Sequence, residues 1–351
     1  MKIRIAICIE DSTYSEKLSS HFSAHYGDSV EMYRFSDETL LNKYLETHVM
    51  DVLLVDEKFD ERNVLEWPEM LVFKLTNSGN SVIEEGRIIY ICRYQKASNI
   101  YKEILHWCSK KEFSVKKGSG KTIVISFSSI VGGAGASTIS VAFAIYLARQ
   151  GRKVVFLNLE EFGDTSVLLG DGGKYNFEEI LLALKTKNRN VTMKLQSAIS
   201  HTEDNVFFYS SCSNPIDFSQ MTGDETKELL DSMISMDYQY VVTDFRLDLS
   251  DKSRRIMNAS DKIVLISDGT NNSKKRFGRI FTALKSVDGM ERTRNCDKLA
   301  ILSNKAENGK SIDISADGVF NIGTISEIKS DSPSEIARTI AGKNNVFNEL
   351  G

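Results

Sequence analysis

The sequence predicts an α/β protein made of two doubly wound, three-layer domains in tandem. Three observations predict it. Short apolar runs alternate with amphipathic stretches over residues 1–112, and the same rhythm resumes on a larger scale over 122–351. Between them the segment 110–121 (KKEFSVKKGSGK) is basic and carries Gly and Ser, the composition of a linker. A glycine-rich loop then separates an apolar strand from an apolar helix, as in parallel sheets whose crossovers are helical. The 351 residues are also too many for one comfortable core. The expected division is therefore a first domain at 1–112, a linker at 113–121 and a second domain at 122–351.

In the first domain, strands are expected at 3–9, 30–35, 51–56, 70–76 and 88–94, with helices at 14–25, 38–47 and 99–108. The stretch 77–87 is too short and too polar for a full helix, so one crossover is expected to be reduced. In the second domain, strands are expected at 122–130, 153–159, 206–210, 240–244, 262–267, 298–304 and 321–326. Helices are expected at 137–150, 177–186, 224–236, 251–259, 273–287 and 334–342. Residues 241–243 and 263–266 are apolar without alternation, which suits central parallel strands covered on both faces. Ser332 and Pro333 supply a cap and a first-turn proline for the last helix.

Composition narrows the function classes. Hydrophobic residues make up 41% and charged residues 26%, and the net charge is −4. Such a chain has no strong field to draw it to nucleic acid or an anionic membrane. The five cysteines (Cys8, Cys92, Cys108, Cys212, Cys296) form no C-x-x-C pair, so buried thiols in a reducing cytoplasm are expected. Residues 1–10 alternate like a strand and do not read as a leader. Apolar runs such as 122–131 stop at about ten residues, short of the ~20 that span a bilayer. Any membrane attachment is expected to come through a partner.

The most specific signal is Val131-Gly132-Gly133-Ala134-Gly135-Ala136-Ser137-Thr138, lying between a strand and a helix. Glycines let backbone N–H groups close around an anion, and the helix N-terminus adds partial positive charge. Ser137 stands where a hydroxyl would ligate Mg²⁺. The bland alternative is a tight turn before a helix. Gly118-Ser119-Gly120-Lys121-Thr122 holds a second lysine motif, but it precedes its strand. Ligands bind at the carboxyl ends of strands, so this segment reads as linker.

The loop resembles the deviant Walker A motif of the ParA/MinD family, K-G-G-x-G-K-[ST]-T. Gly132, Gly133, Gly135, Ser137 and Thr138 match, whereas Val131 and Ala136 stand where the family has lysine. The resemblance continues in order over about two thirds of the chain. Val241-Val242-Thr243-Asp244 is similar to the strand that ends in the Walker B aspartate, which implies that Asp244 and Ser137 share Mg²⁺. Leu302-Ser303-Asn304-Lys305 resembles the late strand that reads adenine, which implies adenine contacts from Asn304 and Lys305. Leu157-Asn158-Leu159-Glu160 occupies the place of the D-x-D switch, with Asn and Glu for its two aspartates. The implied ligands are ATP and Mg²⁺, with phosphates held by residues 132–138. A missing transition-state cation costs ~10³–10⁵ in rate, while backbone donors, Mg²⁺ and the helix dipole still support ground-state binding. Binding with weak or absent hydrolysis is therefore expected, unless a lysine from elsewhere substitutes.

In the first domain, Glu10 and Asp11 end one strand, Asp56 and Thr76 end two others, and Arg93 lies near the end of the fifth. This arrangement resembles a response-regulator receiver domain, of flavodoxin-like fold. The resemblance implies an acidic site at Glu10, Asp11, Asp56 and Thr76, with Arg93 in place of the usual lysine. A scaffold used only for protein contacts explains the same residues.

Other signals carry less. His21 and His25 are spaced i, i+4 but lack a third metal ligand. Lys274, Lys275, Arg276 and Arg279 begin a helix, and Arg254 and Arg255 follow Asp244. Without a basic domain, no DNA partner is expected. The C-terminal helix lacks the pattern of a membrane-surface helix.

A receiver-like domain joined to a ParA/MinD-like domain with a degraded loop resembles the TadZ/CpaE family. That resemblance implies an ATP-binding localisation factor of a Tad-type (Flp, type IVb) pilus, forming a homodimer and recruiting other pilus-assembly proteins at a cell pole or secretion site. Two alternatives stay open: a cycling partition or positioning ATPase, and a two-component output protein controlled at Asp56.

Overall fold

The computed structural model describes residues 2–60, 70–77, 83–85, 88–109, 121–187, 190–306, 319–343 and 345–350. All of the expected linker at 113–121 except Lys121, and most of the reduced crossover at 77–87, lie outside them. By its contacts the chain divides into two units, Met1–Lys116 with Arg189–Ser197, and Lys117–Asn188 with Ala198–Gly351.

In the first unit, β1 (Ile3–Cys8), β2 (Val30–Phe35), β3 (Val52–Asp56), β4 (Leu71–Thr76), β5 (Ile83–Glu85) and β6 (Ile88–Cys92) form one sheet in the order β2-β1-β3-β4-β6-β5. All pairings are parallel except that of β5 with β6. Helices α1 (Ser12–Tyr26), α2 (Glu38–Leu45) and α3 (Ala97–Ser109) cover it. Successive strand side chains point to opposite faces, and the core divides by that parity. Ile3, Ile5 and Ile7 pack with Leu18 and Phe22 of α1 and Ile104 of α3, whereas Ala6 and Cys8 pack with Leu41 and Leu45 of α2.

In the second unit, β7 (Ile123–Ser129), β8 (Val154–Asn158), β9 (Ser200–His201), β10 (Val206–Phe208), β11 (Tyr240–Asp244), β12 (Lys262–Ser267), β13 (Leu299–Ala306) and β14 (Phe320–Ser326) form an eight-stranded sheet. Its order is β14-β13-β12-β7-β11-β8-β10-β9, parallel except at β9. The unit's helices are α4 (Ala136–Arg149), α5 (Ser166–Leu169), α6 (Phe177–Lys185), α8 (Pro215–Ser219), α9 (Gly223–Ile234), α10 (Asp251–Ala259), α11 (Asn271–Glu291) and α12 (Pro333–Lys343), with α7 (Val191–Ala198) falling between α6 and α8 in the chain but mostly in the first unit. Every residue of β11 is buried, as its unbroken apolar run requires. Among the described residues no helix is long and apolar enough to cross a membrane.

Helix α7 was not expected, and most of it belongs to the first unit. Met193 joins that unit's core, and Asn190, just before the helix, donates from Nδ2 to the Ser109 carbonyl at 3.3 Å. Lys194 Nζ lies 3.2 Å from His106 Nδ1.

Asp204, in the turn between β9 and β10, ties two helices of the second unit together. Its carboxylate accepts from Arg149 Nη2 of α4 and from Arg338 Nε of α12, both at 2.9 Å. Burial pushes the Asp204 carboxyl up, but the hydrogen bonds and charge of the two arginines outweigh it and hold it below its ordinary value. The stabilisation is therefore present above the unfolded value of ~3.9 and is lost as pH falls through the folded one. Because both arginines are half exposed, Asp204→Ala is expected to cost only about 1–2 kcal/mol at neutral pH. In a unit of this size that lowers the melting temperature by about 3–6 °C. Thermal unfolding at neutral and acid pH checks this, since the deficit must shrink in acid.

Candidate nucleotide site

The second sheet brings the expected site residues to its carboxyl edge. Asp244 ends β11 and pairs in register with Phe127 of β7 and Asn158 of β8. The chain leaves β7 through Ile130, whose N–H donates to the Ile266 carbonyl, and enters the loop. Gly133 and Gly135 take left-handed backbones, at φ +76° and +93°. Both conformations favour glycine. Gly135 caps α4 without a side-chain hydrogen bond, which leaves the first-turn N–H groups of Ala136, Ser137 and Thr138 to a ligand or water. A Cβ at Gly132 or Gly133 would meet nothing within 4 Å, so space lies over the loop. Val131 and Ala136, which stand at the two lysine positions, are both buried, as is Ala134.

Asp244 is 1% exposed, and its Oδ1 has no hydrogen-bond partner. Burial first, and then the neighbouring Glu160 charge, push its carboxyl up to about 8 against a hydrogen bond from the Ser137 hydroxyl. Burial likewise raises Glu160, with Arg246 opposing. A desolvated carboxyl with one oxygen unused and a hydroxyl beside it is a hard-oxygen donor set of the kind that suits Mg²⁺. That ion takes one or two protein oxygens and completes its shell with phosphate and water. Among the described residues, no group of three or more His, Cys, Asp or Glu is arranged to hold a metal by itself.

Asn158 Oδ1 accepts from the Glu160 N–H at 2.9 Å, and its amide fills the space a side chain at Gly163 would need. An amide at position 158 cannot accept a proton from water as a carboxylate does. Asn304 is buried and donates from Nδ2 to the Ala134 carbonyl at 2.8 Å. Lys305 donates from Nζ to the Gly133 carbonyl at 2.7 Å. The two residues expected at adenine thus reach the glycine-rich loop. A cavity of about 450 Å³ in the same unit is lined by residues such as Asn158, Glu160, Phe162, Ser210 and Cys212 and does not include the loop. The buried donors mark the site better than this hollow does.

In the first unit, Asp56 Oδ2 accepts from the Glu10 N–H at 2.7 Å, and Oδ1 lies 3.5 Å from Arg93 Nη1. Arg93 therefore reaches the acid that lysine serves in receivers. Asp11 is occupied as the cap of α1, and the Thr76 hydroxyl donates to the Ile91 carbonyl at 3.4 Å. Tyr14 was not expected at this site. Its ring lies 4.8 Å from the Arg93 guanidinium carbon, a contact that no local pattern announces.

Residues 1–109 match the family model described as the TadZ-like receiver domain. Among solved structures, the chain is similar to a ParA family ATPase from Chlorobium tepidum TLS, at 17% identity and a TM-score of 0.52, over 65% of this chain and 95% of that one. It is also similar to the septum site-determining protein MinD complexed with Mg-ADP from Pyrococcus horikoshii OT3, at 17% identity and a TM-score of 0.48, over 65% and 98%. At such identities the likeness is one of fold, and the C-terminal part has the ParA/MinD-type P-loop fold. No curated protein sequence matches the chain.

Proposed function

We propose that this chain, TadZ/CpaE-like in joining a TadZ-like receiver domain to a P-loop domain of ParA/MinD fold, holds MgATP as a long-lived structural ligand and acts as a localisation factor of a Tad-type pilus. In the ATP-bound state it forms a homodimer and gathers pilus-assembly proteins at a site in the cell, with the receiver-like half providing partner contacts. The observation that carries the nucleotide reading is Asp244, buried with an unpartnered oxygen beside the Ser137 hydroxyl at the head of α4.

Each residue has a stated task in this reading. Backbone N–H groups from Gly132 to Thr138 surround the phosphates, and Ser137 and Asp244 hold Mg²⁺. Magnesium held there would neutralise phosphate charge. Slow turnover rests on two departures: apolar, buried Val131 and Ala136 bring no cation, and Asn158 brings no carboxylate to order water. Phosphoryl transfer depends on those positioned charges far more than binding does.

The test is to incubate purified protein with Mg²⁺ and ATP, remove free nucleotide, and identify what stays bound after hours. Intact ATP near one per chain is expected. ADP with release would move the cycling ATPase ahead, and no retained nucleotide would remove ATP from the account. In cells, a fluorescent fusion is expected to form foci that disperse with Asp244→Ala. A diffuse wild-type fusion would overturn the localisation role alone.

A further inference from the structure

We propose that Lys305 replaces the missing loop lysines, entering the phosphate site from the end of β13 and not from the loop. The inference rests on the nucleotide reading above and names the cation that reading lacks. The loop of a P-loop protein wraps anionic phosphates, and here both in-loop lysine positions are apolar and buried. Yet an ammonium sits on the loop all the same: Lys305 Nζ donates to the Gly133 carbonyl at 2.7 Å.

The backbone is bent to put it there. The pairing of β13 with β14 slips between Ser303 and Ala306, so the strand bulges at Asn304 and Lys305. A bulge re-aims side chains away from the regular ladder. Lys305 also takes a left-handed backbone, φ +59°, a strained conformation for a residue with a Cβ. Asn304 anchors the bend from beneath, buried and bonded to the Ala134 carbonyl. Two successive residues from one strand end thus hold two successive carbonyls of the loop. One buried amide fixes the position, and one exposed ammonium brings the charge.

An ammonium has three donors, and the Gly133 carbonyl takes one. The other two remain for a phosphate oxygen over a loop whose outer side is open at Gly132 and Gly133. In the sheet order β13 and β11 lie on opposite sides of β7, so that an ammonium from the end of β13 and Mg²⁺ at the Ser137–Asp244 pair would approach the phosphates from two sides. Because Lys305 is exposed, it suits ground-state charge neutralisation. It does not restore the buried, preorganised cation that fast phosphoryl transfer needs, and slow turnover stands.

The test is calorimetric titration of the full chain with MgATP, MgADP and adenosine, in the wild type, Lys305→Gln and Lys305→Arg. Lys305→Gln is expected to weaken MgATP about tenfold, MgADP less and adenosine not at all, as for loss of one charge-assisted hydrogen bond to phosphate. Lys305→Arg is expected to stay within about threefold of wild type, and the Gln deficit to narrow as salt rises. The nucleotide-free melting temperature of both variants serves as the folding control for this surface site. Equal losses for all three ligands would mean that Lys305 serves the base, and unchanged MgATP affinity would mean that it only staples the loop; either result overturns the proposal. If the wild type itself takes up no MgATP, the nucleotide reading has failed, and this inference with it.

Discussion

Asp244→Asn is expected to raise the melting temperature of the nucleotide-free protein by about 5 °C and to abolish its stabilisation by MgATP. The two effects have one cause. In the free protein Asp244 is fully buried, one carboxylate oxygen has no partner, and the Glu160 charge lies beside it. Keeping a polar group in such a place costs about 1–3 kcal/mol, more when it is charged. The raised Asp244 carboxyl must take up a proton on folding to sit beside Glu160, whereas an asparagine of the same shape is neutral already, and about 2 kcal/mol corresponds to the stated rise in a unit of this size. The wild type should regain the difference when MgATP supplies the missing counter-charge, since a ligand at 100 times its Kd stabilises the folded state by about 2.7 kcal/mol. Thermal unfolding of both proteins with and without MgATP should therefore give curves that change order. A variant less stable than wild type in the absence of nucleotide, yet still stabilised by MgATP, would make Asp244 a structural residue and take away the central support of the proposed function.

The parts of this molecule that were legible in the sequence are those whose cause is local. β11 and β12 show as unbroken apolar runs because both of their faces are buried. The loop shows because two left-handed turns at 133 and 135 call for glycine at fixed distances from a strand and a helix. Edge strands β5 and β9 have three and two residues, too few for a period of two to register. Helices α5 and α8 are single turns. Helix α7 is long enough to show, but what settles it is Met193 entering the core of the first unit, and no local pattern tells which core a helix joins. The site divides the same way. Ser137 is a candidate from its place after the glycine loop and Asp244 from the resemblance of its strand, whereas the orphaned oxygen that gives Asp244 its character depends on burial. The reach of Lys305 depends on a bulge and a left-handed lysine. Asparagine and glycine advertise such a backbone, and lysine does not.

Gly135→Val is expected to lower MgATP affinity more than about 100-fold, because it strikes the loop in two ways at once. The residue stands at φ +93°, where a β-branched side chain is strained by roughly 1–2 kcal/mol. Its Cβ would also come within 2.7 Å of Asn304 Nδ2, the amide that bonds the Ala134 carbonyl. Something must give, and the movable part is the clamp: Asn304 withdraws, leaving two buried polar groups short of a partner at about 1–3 kcal/mol. The summed cost of about 3 kcal/mol lowers the melting temperature by about 6–12 °C without unfolding a unit whose core lies in the sheet behind the loop. The affinity loss goes further, since the backbone donors from Gly132 to Thr138 and the Lys305 ammonium are all placed by the conformation that valine forbids. Gly132→Ala separates the two effects. Its Cβ meets nothing in the protein, so nucleotide-free stability should stay at the wild-type level, and any loss of affinity there would report a phosphate lying against that position. If Gly135→Val binds MgATP within about threefold of wild type, the phosphates do not lie in this loop, whatever else the fold resembles.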